Sequence, residues 1–157
     1  VANSLHQAVE KHKPNLIIML GQSGGSDKVK LERVAINMMD AMRADNDGYT
    51  PDEVSIDEDG DTALFCNLPI KSLRTKINEQ NINVKVSNSC GLYVCNRLYY
   101  EALNICKEKS IRAIFVHLPF YEGQPSAKPE KPTIPLNEMT KSIQVIIEEI
   151  YDRYRKI

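Results

Sequence analysis

The stretch NVKVSNSCGLYVCNRLYYEALNICKEKSIRAIFVH, Asn83 to His117, decides the fold. Asn83 to Val86 is a short extended run ending in the turn-forming residues Ser87 to Gly91. Tyr93 to Lys107 follows with helical spacing, its apolar face at Val94, Leu98, Ala102 and Ile105. Arg112 to His117 is a second apolar run, of strand length. A strand, a helical crossover and a second strand form the unit from which parallel sheets are built.

Working outward, the same alternation continues. Asn15 to Leu20 is a continuous apolar run that suits a strand buried on both faces. Before it, Ser4 to Lys13 is helical and stops at Pro14, which a helix cannot pass. After it, Gly21 to Gly25 is a glycine-rich turn. Lys28 to Asp40 fits neither period cleanly and is read as extended. Ala44 to Asp61, rich in Asp, Gly and Pro, is an irregular excursion with a hairpin. Thr62 to Asn67 is a short strand and Ile70 to Gln80 a helix. A proline-rich loop, Leu118 to Thr133, leads to a closing helix from Leu136 to Ile157, with Ile143, Ile146, Ile147, Ile150 and Tyr154 on one face.

This pattern predicts one α/β domain over residues 1–157, a three-layer α/β/α sandwich around a largely parallel sheet. The chain opens on a helix, whereas a doubly wound domain usually begins with a strand. The pattern therefore predicts a further strand upstream.

Composition narrows the function. The 157 residues are 42% hydrophobic and 26% charged, ordinary for a globular protein. The net charge is −1, with no basic stripe, which argues against nucleic acid as the main partner. The longest apolar run, Leu16 to Leu20, is far too short to cross a bilayer, and the N-terminus does not read as a signal peptide. Cys66, Cys90, Cys95 and Cys106 lack zinc spacing and are read as reduced thiols of a cytoplasmic enzyme.

In parallel α/β sheets, ligands bind beyond the carboxyl ends of the strands. Cys95 lies in the first turn of a helix that follows such an end. Free backbone N–H groups and the helix dipole there favour a thiolate. Those N–H groups are also candidate oxyanion donors, each worth roughly 2.7–4 kcal/mol of transition-state stabilisation. Twenty-two residues separate Cys95 from His117, room for one helix and one strand. The strand Arg112 to Val116 is expected to run parallel to Asn83 to Val86, so that His117 emerges at the same carboxyl edge and serves as the base. Glu32, a lone acid among apolar residues, is the candidate to orient the histidine.

Each residue also has a plainer role: Cys95 as core, His117 as a turn cap, Glu32 as an ion-pair partner of Lys30 or Arg33. Gly21 to Gly25 lacks the Lys-Ser/Thr of a phosphate loop. Asp57 to Asp61 lacks the later bidentate Glu of a calcium loop.

Together these stretches resemble the pyroglutamyl peptidase I, or pyrrolidone-carboxylate peptidase, family. Val86-Ser-Asn-Ser-Cys-Gly-Leu-Tyr-Val-Cys-Asn96 is similar to its nucleophile motif, and Phe115-Val-His-Leu-Pro119 to its histidine motif. Leu31-Glu-Arg-Val-Ala-Ile-Asn37 resembles the segment with its catalytic glutamate, followed by Asp45-Asn-Asp-Gly48. Gly21-Gln-Ser-Gly-Gly25 resembles its glycine-rich loop.

The resemblance implies a cysteine peptidase that removes N-terminal pyroglutamate without metal or organic cofactor. Cys95 is then the nucleophile, His117 the general base and Glu32 the orienting acid, with Gln22 beside the substrate. It also implies pyroglutamyl peptides as substrates and a homo-oligomer, dimer or tetramer. Three substitutions depart from the family: Ser26 for Arg, Cys90 for Ala, and Met42 for an Arg that the adjacent Arg43 does not automatically replace. The family's N-terminal strand and Gly-Phe-x-Pro-Phe loop have no counterpart here. The alternative expectation is therefore an inactive truncated or divergent member.

Overall fold

A computed structural model describes residues 1–124 and 130–154. The elements run α1 (Ala2–His12), β1 (Leu16–Gln22), β2 (Val29–Glu32), β3 (Val34–Ile36), β4 (Ala63–Phe65), α2 (Ile70–Asn78), β5 (Val84–Ser87), α3 (Val94–Glu108), β6 (Arg112–Leu118), β7 (Phe120–Tyr121), β8 (Thr133–Ile134) and α4 (Leu136–Tyr154). The expected end of the last helix, residues 155–157, lies outside the described residues.

The main sheet has the order β1-β6-β2-β5. Arg112 N–H donates to the Asn15 carbonyl and Ser23 N–H to the Leu118 carbonyl, so β1 and β6 ascend together. Val29 N–H to Asn83 and Arg33 N–H to Ser87 give β2 and β5 the same relation. Only β2 and β6 run antiparallel, with Lys30 opposite His117 and Leu31 opposite Val116. The sheet is thus mostly parallel, as expected.

One expectation is overturned. β5 and β6 are not parallel neighbours: β2 stands between them and runs against β6. The parallel course expected of these two strands is therefore not found. Long-range pairing leaves no local pattern, so the sequence of either strand is silent on it.

The ambiguous Lys28 to Asp40 proves to be two strands. At Arg33 the chain changes partner: its N–H bonds the Ser87 carbonyl, and its own carbonyl accepts the Cys66 N–H. β2 therefore joins the main sheet, while β3 pairs antiparallel with β4. β1 also departs from expectation. It is an edge strand in which Met19 is buried and Leu20 is 55% exposed. The proline-rich loop carries a short parallel pair, β7 and β8.

The chain divides into two compact units. The first comprises Val1–Met19, Glu32–Leu68 and Ser87–Phe115. Its core gathers Met19, Ala35, Leu64, Tyr99, Tyr100, Ala102, Leu103 and Phe115, with the Tyr99 and Phe115 ring centroids 5.9 Å apart. Helix α1 adds Val9 to a smaller cluster with Ile105 and Ile111. It stops where Lys13 turns left-handed, its N–H held by the Val9 carbonyl, just before Pro14.

The buried face of α3 is rotated from the expected one: Asn96, Tyr99, Tyr100 and Leu103 join Ala102 and Ile105, while Val94 and Leu98 are half-buried. Two tyrosines are accommodated because each hydroxyl reaches a backbone carbonyl, Tyr99 to Glu32 and Tyr100 to Asp61.

The second unit comprises Leu20–Leu31, Pro69–Val86 and Val116–Ile157. Here α2 packs on α4, burying Leu73 and Ile77 from one helix and Met139, Val145, Ile146 and Ile150 from the other. The expected face of α4 needs correction: Ile147 is 47% exposed, and Ser142 is fully buried in the stripe instead. Its hydroxyl is satisfied within the helix by the Met139 carbonyl, and its small size suits close packing.

Candidate active site

Cys95 is the second residue of α3. The approach is shaped by a tight turn: Ser87 Oγ donates to the Ser89 carbonyl, Ser89 Oγ accepts the Gly91 N–H, and Gly91 takes φ +76°. Only glycine adopts that conformation without strain. Tyr93, at the N-cap, makes no capping bond; its hydroxyl donates to the Ala44 carbonyl at 2.8 Å. The first-turn N–H groups of α3 have no intrahelical acceptor, which suits a developing negative charge. Cys95 is half-buried against the first unit's core.

Glu32 closes β2 and is fully buried. Its backbone carbonyl accepts the Tyr99 hydroxyl at 3.0 Å. Cys90, buried in the same unit, donates its thiol to the Val34 carbonyl. Burial, then the charge and hydrogen bond of Glu32, hold that thiol far above its ordinary pKa, and Cys95 contributes in the same direction. Cys90 thus interacts with both Glu32 and Cys95. All four cysteines are free thiols. Burial raises Cys66, and pushes Cys106 to about 11.

A small cleft is bounded by Leu92, Tyr93 and Val94, the three residues before Cys95 in the chain, together with Met39, Asp45, Tyr49, Pro51 and Arg97; Cys95 itself does not line it. Its walls are largely apolar.

His117 is buried in β6 and belongs to the second unit, where it stands opposite Lys30. Glu32 is two residues beyond Lys30 on β2 and therefore projects from the same face of that strand. Lys30 itself donates to Ser23 Oγ at 2.7 Å.

Gln22 ends β1 and is exposed. It exchanges two amide hydrogen bonds with Gln124, at 2.9 and 3.1 Å. Next to it, a Cβ on Gly24 would fall 2.3 Å from the Phe120 ring, so the glycine is needed for close approach. Ser26 folds its hydroxyl back onto Lys28. Met42 is fully exposed, and Met42 and Arg43 lie in a bend, so strand alternation does not govern where Arg43 points. The Asp57 carboxylate accepts the Asp59 N–H, closing a turn. No group of three or more His, Cys, Asp or Glu among the described residues has metal-site geometry.

Two residues of α3 have no role of their own in the sequence reading, although Asn96 closes the nucleophile motif. Asn96 and Tyr99 are buried polar groups inside the apolar stripe of α3. A polar residue in the first turn of an amphipathic helix, next to the candidate nucleophile, was the available signal.

The fold and the thiol at a helix start fit a cysteine peptidase of α/β type. The chain belongs to the pyroglutamyl peptidase family, whose sequence profile matches residues 1–153. The pyrrolidone-carboxylate peptidase of Clostridium perfringens (strain SM101 / Type A) is 40% identical over 148 residues, covering 93% of this chain and 70% of the relative. Pyrrolidone-carboxylate peptidase 1 of Caldanaerobacter subterraneus subsp. tengcongensis is 41% identical over 152 residues, covering 94% and 75%. Among solved structures, the pyrrolidone carboxyl peptidase of Thermococcus litoralis superposes with a TM-score of 0.93 at 28% identity, over 99% of this chain and 74% of that one. Pyroglutamyl peptidase I of Bacillus amyloliquefaciens gives 0.84 at 34%, over 92% and 69%. The resemblance read from the motifs therefore holds. No described helix is long and apolar enough to cross a membrane.

Proposed function

We propose that this chain is a cysteine-type peptidase that hydrolyses the bond after an N-terminal pyroglutamyl residue. The observation that carries the reading is Cys95 in the first turn of α3, in one compact unit with Glu32, in a chain of the pyroglutamyl peptidase family. The family match spans residues of both units, so the reading treats them as one peptidase domain.

In this reading His117 takes the Cys95 proton, and the thiolate attacks the carbonyl carbon linking pyroglutamate to the next residue. The oxyanion is held by N–H groups of the α3 first turn. His117 protonates the leaving amine as the C–N bond breaks, leaving a thioester on Cys95. Water, deprotonated by His117, then attacks the thioester, releasing pyroglutamate and restoring the thiol. Glu32 orients His117, and Gln22 lies beside the substrate. The chemistry is carried by side chains and backbone alone. The substrates are pyroglutamyl peptides; the enzyme is cytoplasmic and works as a homo-oligomer, dimer or tetramer.

The lactam ring is neutral, so apolar walls and backbone hydrogen bonds suffice to read it. An ordinary N-terminal ammonium would be desolvated without a partner. The test is amine release from a pyroglutamyl amide against the matching prolyl amide, whose ring carries a charge instead of a lactam. We expect kcat/KM to favour pyroglutamyl by about 5- to 160-fold, the range that ~1–3 kcal/mol of unpaired desolvation gives. Equal rates on the two amides would contradict the reading.

A further inference from the structure

We propose that Asn96 and Tyr99 form a positioning clamp that sets Cys95 in register with Glu32; the inference rests on Cys95 being the nucleophile.

The Asn96 side chain is 1% exposed. Its Oδ1 accepts the Ile36 N–H at 3.0 Å, and its Nδ2 donates to the carbonyls of Ile36 at 2.8 Å and Met38 at 3.0 Å. Both amide donors and one acceptor site are used. The amide orientation is dictated by its partners, because one N–H can only donate and two carbonyls can only accept. The side chain behaves as a strand residue would, pairing with the N–H and carbonyl of Ile36 while β3 pairs with β4 through other groups. It ties the first turn of α3, at the residue adjoining Cys95, to the end of β3.

Tyr99 is the second anchor. It lies four residues after Cys95 and three after Asn96, on the same flank of the helix. Fully buried, it donates its hydroxyl to the Glu32 backbone carbonyl at 3.0 Å. One anchor grips the strand segment after Glu32, and the other grips Glu32 itself. Two anchors a turn apart fix both the rotation of α3 about its axis and its slide along it.

Core packing alone does not call for these groups. Asn is a weaker helix former than Leu or Ala, and a buried amide stabilises only when its partners are in place. What the clamp adds is geometry, and nucleophile placement is sensitive to it: a shift of about 1 Å can cost on the order of 100-fold in rate.

The experiment compares Asn96→Ala, Tyr99→Phe and a packing control, Leu103→Ala, from the same helix and core. Tyr99→Phe removes a single oxygen, so it carries the test even if Asn96→Ala fails to fold. For each variant, kcat and KM on a pyroglutamyl amide, the iodoacetamide alkylation rate of Cys95 and the melting temperature are measured. Asn96→Ala and Tyr99→Phe should lower kcat by about 10- to 100-fold with KM within about threefold, and should change the alkylation rate. Leu103→Ala should lower the melting temperature at least as much, yet leave kcat within about twofold where the protein is folded. Wild-type kcat in folded Tyr99→Phe, or equal kcat losses in all three variants, would overturn the clamp alone. A wild-type protein without activity, in which Cys95 reacts no faster than Cys106, would overturn the nucleophile reading and the clamp with it.

Discussion

The buried Cys90 thiol lies against the Glu32 carboxylate. Burial first, and the charge and hydrogen bond of Glu32 next, keep that thiol protonated well beyond the usual thiol range. Cys66 is raised by burial as well, and Cys106 is pushed to about 11. At pH 8 only about one Cys106 in a thousand is thiolate, and the thiolate is the reactive form. Alkylation with iodoacetamide at pH 8, followed by peptide mass mapping, should therefore modify Cys95 well before the other three. Parallel modification of all four in folded protein would contradict this account.

Helix α4 makes a second prediction, because its buried face differs from the apolar one. Ile146 is fully buried, whereas its neighbour Ile147 is 47% exposed. Ile146→Ala should cost about 2–5 kcal/mol in denaturant unfolding. Ile147→Ala should stay within about 0.5 kcal/mol. Comparable losses at both positions would mean that α4 is rotated from the orientation described.

The contact between α2 and α4 carries a pH dependence. Glu149 accepts hydrogen bonds from Arg153 at 2.8 Å and Ser72 at 3.0 Å. Its carboxyl is held below the ordinary value, first by the Arg153 hydrogen bond and then, against the cost of burial, by Ser72 and the Arg153 charge. A depressed folded-state pKa means that the stabilisation is present above the unfolded value and is lost as pH falls through the folded one. The melting temperature should drop on acidification below the usual glutamate range, and Glu149→Gln should flatten that part of the profile. An unchanged profile in Glu149→Gln would remove Glu149 as its source.

These examples show which features were legible in the sequence. β6 could be read from a run that is apolar throughout, because its interior residues are buried. The first helix could be ended at Pro14, and helices α3 and α4 could be placed from their apolar period. Cys95 could be placed because a turn motif and a helix start are both local. A lone acid among apolar residues suggests partial burial, and Glu32 is fully buried.

The failures have a common cause in non-local partners. One residue, Arg33, hands the chain from β5 to β4, so no single period describes Lys28 to Asp40. β2 inserts between β5 and β6 without any mark in either strand. Hydrophobicity favoured Ile147 over Ser142 on α4, although a small, internally bonded serine is the better neighbour for a close-packed helix. On α3 the expected apolar face left out the tyrosines and Asn96, and their distant carbonyl partners account for their burial.

The most direct measurement is release of a fluorescent amine from a pyroglutamyl amide by the wild-type chain and by Cys95→Ala, both verified as folded by circular dichroism. The account predicts steady release by the wild type and none above the uncatalysed rate by Cys95→Ala. Undiminished release by Cys95→Ala would contradict it.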